Sequence, residues 1–225
     1  MFEILKLLLS AVEIYEIAGK AADRLGFADD ALRYRKLAFR LDPANHAAAI
    51  AVLEHYSAAG DHEAHTIWLA EVLDQLEAVA PIISARGNGE DGSGGRPVQP
   101  EDPRVKYAWL LEIEGLWVGL THYVPVPERP PNFTLERWIE RFFPERRPDV
   151  IVSGDTHREC IAEIDGILCV NPGSPTYPHN YDTQFGTIGF LEIEGGLASA
   201  SVWQITEQGI EPFDWNAIPP WKRRR

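Results

Sequence analysis

The pattern of apolar and polar positions along the chain changes at Pro81. Before it, residues 1 to about 79 read as helices in which alanine, leucine and glutamate dominate and Pro43 is the one interruption. Gly26 and Gly60 stand 34 residues apart. Each opens an acidic, alanine-bearing stretch, Gly26-Phe27-Ala28-Asp29-Asp30-Ala31 and Gly60-Asp61-His62-Glu63-Ala64. At the same offset Tyr34 matches Trp68, Ala38 matches Val72 and Phe39 matches Leu73. A period of this length marks helix hairpins that stack to form a partner-binding surface. Leu41-Asp42-Pro43 closes the first unit, since proline starts or stops a helix.

After Pro81 the texture is that of strands. Ile82-Ile83-Ser84-Ala85 reads as a short buried strand, and residues 86–102 as a loop rich in Gly, Asp, Glu and Pro. Strands are predicted over 105–112, 116–121, 150–153, 159–164, 167–170, 186–193 and 198–205, with a helix over 135–143 and a proline-rich loop over 125–131. Glu114-Gly115, Asp165-Gly166 and Gly195-Gly196 are the hairpin turns. In the hairpin at Asp165-Gly166, Ile164 faces Ile167 and Ala162 faces Cys169. Cys160 and Cys169 are then not opposed, and two free thiols in a cytoplasmic protein are expected. Trp109, Trp117 and Trp203 are assigned to core packing, Glu159 and Glu163 to a solvated strand face, and His179-Asn180 to loop filler.

Composition narrows the function classes. In 225 residues, 45% apolar content is enough for a core. A formal charge of −13 repels phosphate backbones and excludes bulk nucleic-acid binding, with Lys222-Arg223-Arg224-Arg225 read as a solvated terminus. The apolar start, Met1 to Ile17, carries Glu3, Lys6, Glu13 and Glu16, which fits neither a signal peptide nor a membrane span.

Four polar motifs sit where strands end: Arg86-Gly87-Asn88-Gly89-Glu90-Asp91, Gly119-Leu120-Thr121-His122, Ser153-Gly154-Asp155-Thr156-His157 and Asn171-Pro172-Gly173-Ser174-Pro175. Polar side chains at the ends of buried strands are how a rigid sheet presents a site. Asn88, His122, Asp155 and His157 are all competent ligands for a divalent cation. Asp155 and His157, two apart, are expected to leave a strand on one face. Glycines at 87, 119 and 154 permit close backbone approach.

In this order the motifs resemble the calcineurin-like metallophosphoesterase superfamily, over about residues 69–205, and within it the small bacterial and archaeal phosphodiesterases that also resemble the retromer subunit of eukaryotes. The resemblance implies an α/β fold, a metallophosphoesterase-like β-sandwich flanked by helices, incomplete at its N-terminal strands. A helical segment resembling tetratricopeptide repeats precedes it. The expected division is 1–66 helical, 67–207 metallophosphoesterase-like and 208–225 a loosely packed tail. The implied chemistry is attack on phosphorus by a metal-activated hydroxide, with both metals of a pair neutralising the phosphate. Asn88 and His122 match ligands of one metal, and His157 matches the second histidine of the family's Gly-His-x-His. Asp155 stands where its first histidine is usual. His122 and His157 are the implied catalytic residues. Manganese is the expected cation, with iron, zinc or nickel as alternatives, and a small phosphate ester the substrate.

The family's opening Asp-x-His does not occur before Asn88. Gly60-Asp61-His62 resembles its second motif, but Val52 to Ala59 reads as helix, which favours Asp61 as a repeat-turn residue over a bridging ligand. Asn88, His122 and Asp155 suffice for one cation completed by water. A two-metal mechanism is not implied. A foreign segment joined near His65 to Leu69, a degenerate scaffold that binds partners through its helices, or a neighbouring subunit that supplies ligands would each account for the departure.

Overall fold

The computed structural model describes residues 2–88, 102–124, 134–175, 178–179, 186–206 and 208–214. The chain forms two compact units, Met1–Ile83 with Pro97–Arg104, and Ser84–Arg96 with Val105–Arg225.

The first unit contains α1 (Phe2–Leu25), α2 (Ala28–Leu41), α3 (His46–Ala59) and α4 (His62–Glu77). Two turns of one kind make hairpins of them. Gly26 and Gly60 take φ of 78° and 69°, left-handed values that cost glycine nothing. Past each, the chain donates back: Phe27 N–H to Ala22 O at 2.9 Å, and Asp61 N–H to Tyr56 O at 3.0 Å. Asn45 and Asp61 cap α3 and α4, accepting from the N–H groups of Ala48 and Ala64. The core holds Val12, Ala38, Phe39, Ala48, Ala49, Val52, Tyr56 and Trp68. Trp68 meets Phe39 edge-on, with ring centroids 5.4 Å apart, and donates its Nε1–H to Ala49 O at 3.1 Å. The alanines let the helices approach closely enough for that bond. Since α4 packs against α3, the contacts divide the chain at Ile83–Ser84, whereas the sequence-based division at 66–67 falls inside α4.

The second unit is built on two sheets and a helix. Its elements are β1 (Ser84–Ala85), β2 (Val105–Lys106), β3 (Ala108–Ile113), β4 (Leu116–Thr121), α5 (Leu135–Phe142), β5 (Val150–Val152), β6 (Glu159–Ile164), β7 (Ile167–Pro172), β8 (Thr187–Glu194), β9 (Leu197–Thr206) and β10 (Gly209–Pro212). The larger sheet runs β3-β4-β5-β7-β6, with β4, β5 and β7 parallel and the two edge strands antiparallel. The smaller, β10-β9-β8, is antiparallel and contacts β6 and β7, so the two sheets pack as layers. β1 and β2 form a short parallel pair.

Apolar spacing on α5 aims Leu135, Trp138 and Ile139 at the sheet, where with Phe143 they cover Ile151, Ile167 and Cys169. Thr134 Oγ1 caps the helix at Arg137 N–H. A Cβ at Gly119 would stand 2.6 Å from the Phe143 ring, so β4 needs glycine there to receive the end of α5.

The structure departs from the sequence reading at three places. The strand expected over 105–112 breaks at Tyr107, because β2 pairs with β1 and β3 with β4. The expected tail from 208 opens with β10, an edge strand on β9, and Phe213 N–H donates to Val202 O. Trp109, Trp117 and Trp203 are only half-buried, and among the described residues Trp68 and Trp138 are the indoles fully inside. The proline-rich loop 125–131 and most of the loop 86–102 lie outside the described residues.

Candidate functional site

The three parallel strands end at one rim, and there the second unit buries polar side chains. Thr121, Ser153, Asn171 and Ser174 are all buried at or just beyond the C-terminal ends of β4, β5 and β7. In open parallel sheets this is the edge where ligands bind.

His122 comes one residue after β4. Its backbone O accepts from Gly154 N–H at 3.0 Å, which ties the loop after β4 to the loop after β5. Its ring lies against Gly87, where a Cβ would stand 2.8 Å from Nδ1. Behind it, Tyr123 meets the imidazole edge-on and stacks on Phe142. Nε2 is buried and has no hydrogen-bond partner among the described residues. It stands 3.6 Å from Oδ1 of Asp155, too far for a hydrogen bond. Two donors on a tetrahedral cation at about 2.1 Å would be about 3.4 Å apart. An imidazole nitrogen and a carboxylate oxygen at this spacing suit a divalent cation held between them.

Asp155 and His157 do not leave a strand on one face, as the spacing suggested. β5 stops at Val152, and the two residues lie in a loop with φ of 66° and 57°. Left-handed backbone costs a side chain about 1–2 kcal/mol, and strand alternation does not extend to such a loop. Buried Asn171 holds it. Its Nδ2 donates to Gly154 O at 2.8 Å and to Thr156 Oγ1 at 3.1 Å, and its Oδ1 accepts from Gly173 N–H at 3.0 Å. His157 O accepts from His179 N–H, which draws residue 179 against this loop.

Of the four expected ligands, the structure brings His122 and Asp155 together. Asn88 is exposed, on the turn after β1, one residue from the Gly87 that abuts His122. His157 is half-buried, two residues beyond Asp155. Among the described residues no three His, Cys, Asp or Glu side chains form a metal-holding group. The residues present fit one cation, with Asn88 as the neighbouring amide, and do not by themselves make a pair of metals. Asp61 belongs to the helical unit, where its carboxylate accepts from Ala64 N–H as a helix cap.

Alternation along β6 puts Glu159 on the side away from Cys160 and Ala162, which the sequence reads as a solvated face. Glu159 is half-buried and accepts from Thr187 Oγ1 at 3.1 Å. Burial pushes its carboxyl above the usual range, and the Thr187 bond offsets that only in part. The folded chain therefore holds this proton more tightly than the unfolded chain does. Below the unfolded-state value both states are protonated. As pH rises past it, the unfolded chain ionises first and stability falls, until the folded value is passed. Melting temperatures from pH 4 to 8 should decline more in the native chain than in Glu159→Gln. Parallel curves would show that this carboxyl does not contribute.

A profile of the Calcineurin-like phosphoesterase superfamily domain matches residues 40–196. A protein of Methanothermobacter thermautotrophicus named "Probable metallophosphoesterase" is 31% identical over 132 residues, 59% of this chain and 67% of its own. A namesake from Methanocaldococcus jannaschii is 32% identical over 108 residues. That match covers 48% of each chain, so the protein spans about half the length of this relative. Vps29 of Entamoeba histolytica complexed with zinc matches in structure with a TM-score of 0.43 and 21% identity, over 65% of this chain and 76% of that one.

Proposed function

The chain belongs to the calcineurin-like phosphoesterase superfamily, and on that premise we propose that it hydrolyses phosphate esters with a divalent cation bound where β4, β5 and β7 end. The observation that carries this reading is the buried, unpartnered Nε2 of His122 facing Asp155 across 3.6 Å. A buried polar atom without a partner is costly, and a cation would satisfy it.

His122 and Asp155 would hold the cation, with the amide oxygen of Asn88 as third ligand and water completing the shell. When bound, the cation supplies Lewis acidity toward the phosphoryl oxygens and a water ionisable near neutral pH. Asp155, in place of a second imidazole, lowers the net charge of the site by one and so weakens its pull on an anionic ester. His157, two residues beyond Asp155 on the same loop, is the proposed second catalytic group, whose role would be to hold or give up a proton at the leaving oxygen. Manganese is the proposed cation, with iron, zinc or nickel as alternatives, and a small phosphate diester or monoester the substrate. The cytoplasm is the proposed compartment, supported by two free thiols. Cys160 pairs across with Asn171, and Cys169 with Ala162. Among the described residues no helix is long and apolar enough to cross a membrane.

The test is release of nitrophenolate from bis(p-nitrophenyl) phosphate by the full chain under manganese titration. Turnover that saturates with manganese is expected. No turnover with manganese, iron, zinc or nickel would end the hydrolase reading. Gly87→Ala probes the site from behind. The added Cβ drives into the imidazole, and a ligand displaced by a few tenths of an ångström should weaken cation uptake roughly tenfold or more in calorimetric titration.

A second reading is a partner-binding scaffold of the same fold. The absence of a three-residue metal-holding group among the described residues favours it. Its proposed contact surface is the two helix hairpins. Metal uptake without turnover, or neither, would select it.

A further inference from the structure

We propose that Asn171 is a positioning residue that sets how the cation is coordinated, by locking the loop that carries Asp155 and His157; this rests on the cation-site reading above. Two of the three bonds its amide makes reach the loop, at Gly154 O and Thr156 Oγ1, and the third holds the amide to Gly173 N–H just past β7. Gly154 O can only accept and Gly173 N–H can only donate, so these neighbours fix which end of the amide is which. The second Nδ2 proton goes to Thr156 Oγ1, between the two proposed site residues in sequence. Asn171 is 4% exposed, and so water does not substitute for it. It reaches the loop from β7, the strand next to β5 in the sheet, which gives the loop a rigid anchor outside its own segment.

The loop needs an anchor because of its backbone. Asp155 and His157 both adopt left-handed φ without being glycine, and Thr156 N–H closes on Gly154 O at 2.8 Å between them. A free loop of this sequence would relax toward negative φ and turn the Asp155 carboxylate away from Nε2 of His122. The bond from Gly154 N–H to His122 O fixes only the start of the loop. Asn171 fixes its middle, as groups that orient metal ligands do.

Substitution by aspartate separates position from charge. Asn171→Asp keeps the shape, replaces the donor at Gly154 O by an acceptor, and adds a negative charge near the cation. Charge alone would tighten cation binding, whereas loss of the lock would loosen it. The experiment is cobalt(II) titration of the full metal-free chain, monitored by visible absorption, with melting curves of each variant taken without metal. Native chain should take up cobalt with a ligand-field band. Asn171→Asp and Asn171→Ala should bind about 10- to 100-fold more weakly with a changed band. Thr156→Val, which removes one of the two acceptors, should fall between. A purely structural role would lower the melting temperature and leave affinity and band of the folded chain unchanged, and that result overturns the proposal while the cation site stands. Absence of cobalt uptake by the native chain overturns both. If the variants at 171 fail to fold, Thr156→Val decides, and native affinity with a native band overturns the proposal.

Discussion

His122→Ala should lose divalent-cation uptake by about 100-fold or more, a larger loss than changing the groups that merely orient ligands would give. Nitrophenolate release should fall with it. The imidazole carries a buried nitrogen donor at the rim, backed by Gly87, Tyr123 and the loop at Gly154. Its removal takes away the nitrogen that faces the Asp155 carboxylate across 3.6 Å. The fold should survive, because His122 lies beyond β4 and its backbone bond to Gly154 does not need the side chain. Equilibrium dialysis of manganese against native and variant chains, with circular dichroism as the control, reads the effect. Uptake within a factor of about three of native would remove His122 from the site.

Trp68→Ala should destabilise the helical unit by about 3–5 kcal/mol, the range for truncating a fully buried aromatic. The indole is 1% exposed, and its loss removes the edge-on contact with Phe39, the bond to Ala49 O and the cations of Lys36 and Arg40 near its ring. Alanines 38, 48 and 49 also line this core, and their side chains are too short to fill the gap. Small units have total stabilities of similar size, and a fall in melting temperature of about 10 °C or more is expected at 222 nm. A shift under about 2 °C would mean that the helices do not depend on this core.

Features with a local cause were readable from the residues. The hairpin at Asp165-Gly166 has Ile164 opposite Ile167 and Ala162 opposite Cys169, as alternation and a two-residue turn required. The glycines 34 residues apart both end helices in the left-handed region, for the same stereochemical reason. Features set by distant partners were not readable. β10 has four exposed residues and no alternation, and only β9 beside it makes it a strand. Glu159 alternates correctly for an edge strand, but its solvent face is covered by Thr187 of the other sheet. The left-handed turn at Asp155 and His157 has no glycine to announce it, and its cause is Asn171, which is fourteen residues further along the chain than His157. Motif order is enough to put His122 beside Asp155, whereas the left-handed backbone of Asp155 and His157 is not legible in it.

The bond between Gly154 N–H and His122 O has a thermodynamic corollary. It splices the two loops proposed to hold the cation by main chain, independent of any bound ion. With the Asn171 bonds it orders these loops when the sheet forms, so that a cation bound there would spend little of its binding free energy on ordering them. Uptake should show a small heat-capacity change, leave amide exchange across β4 and β5 nearly as slow as before, and proceed at a rate limited by dehydration of the ion instead of by rearrangement of the protein.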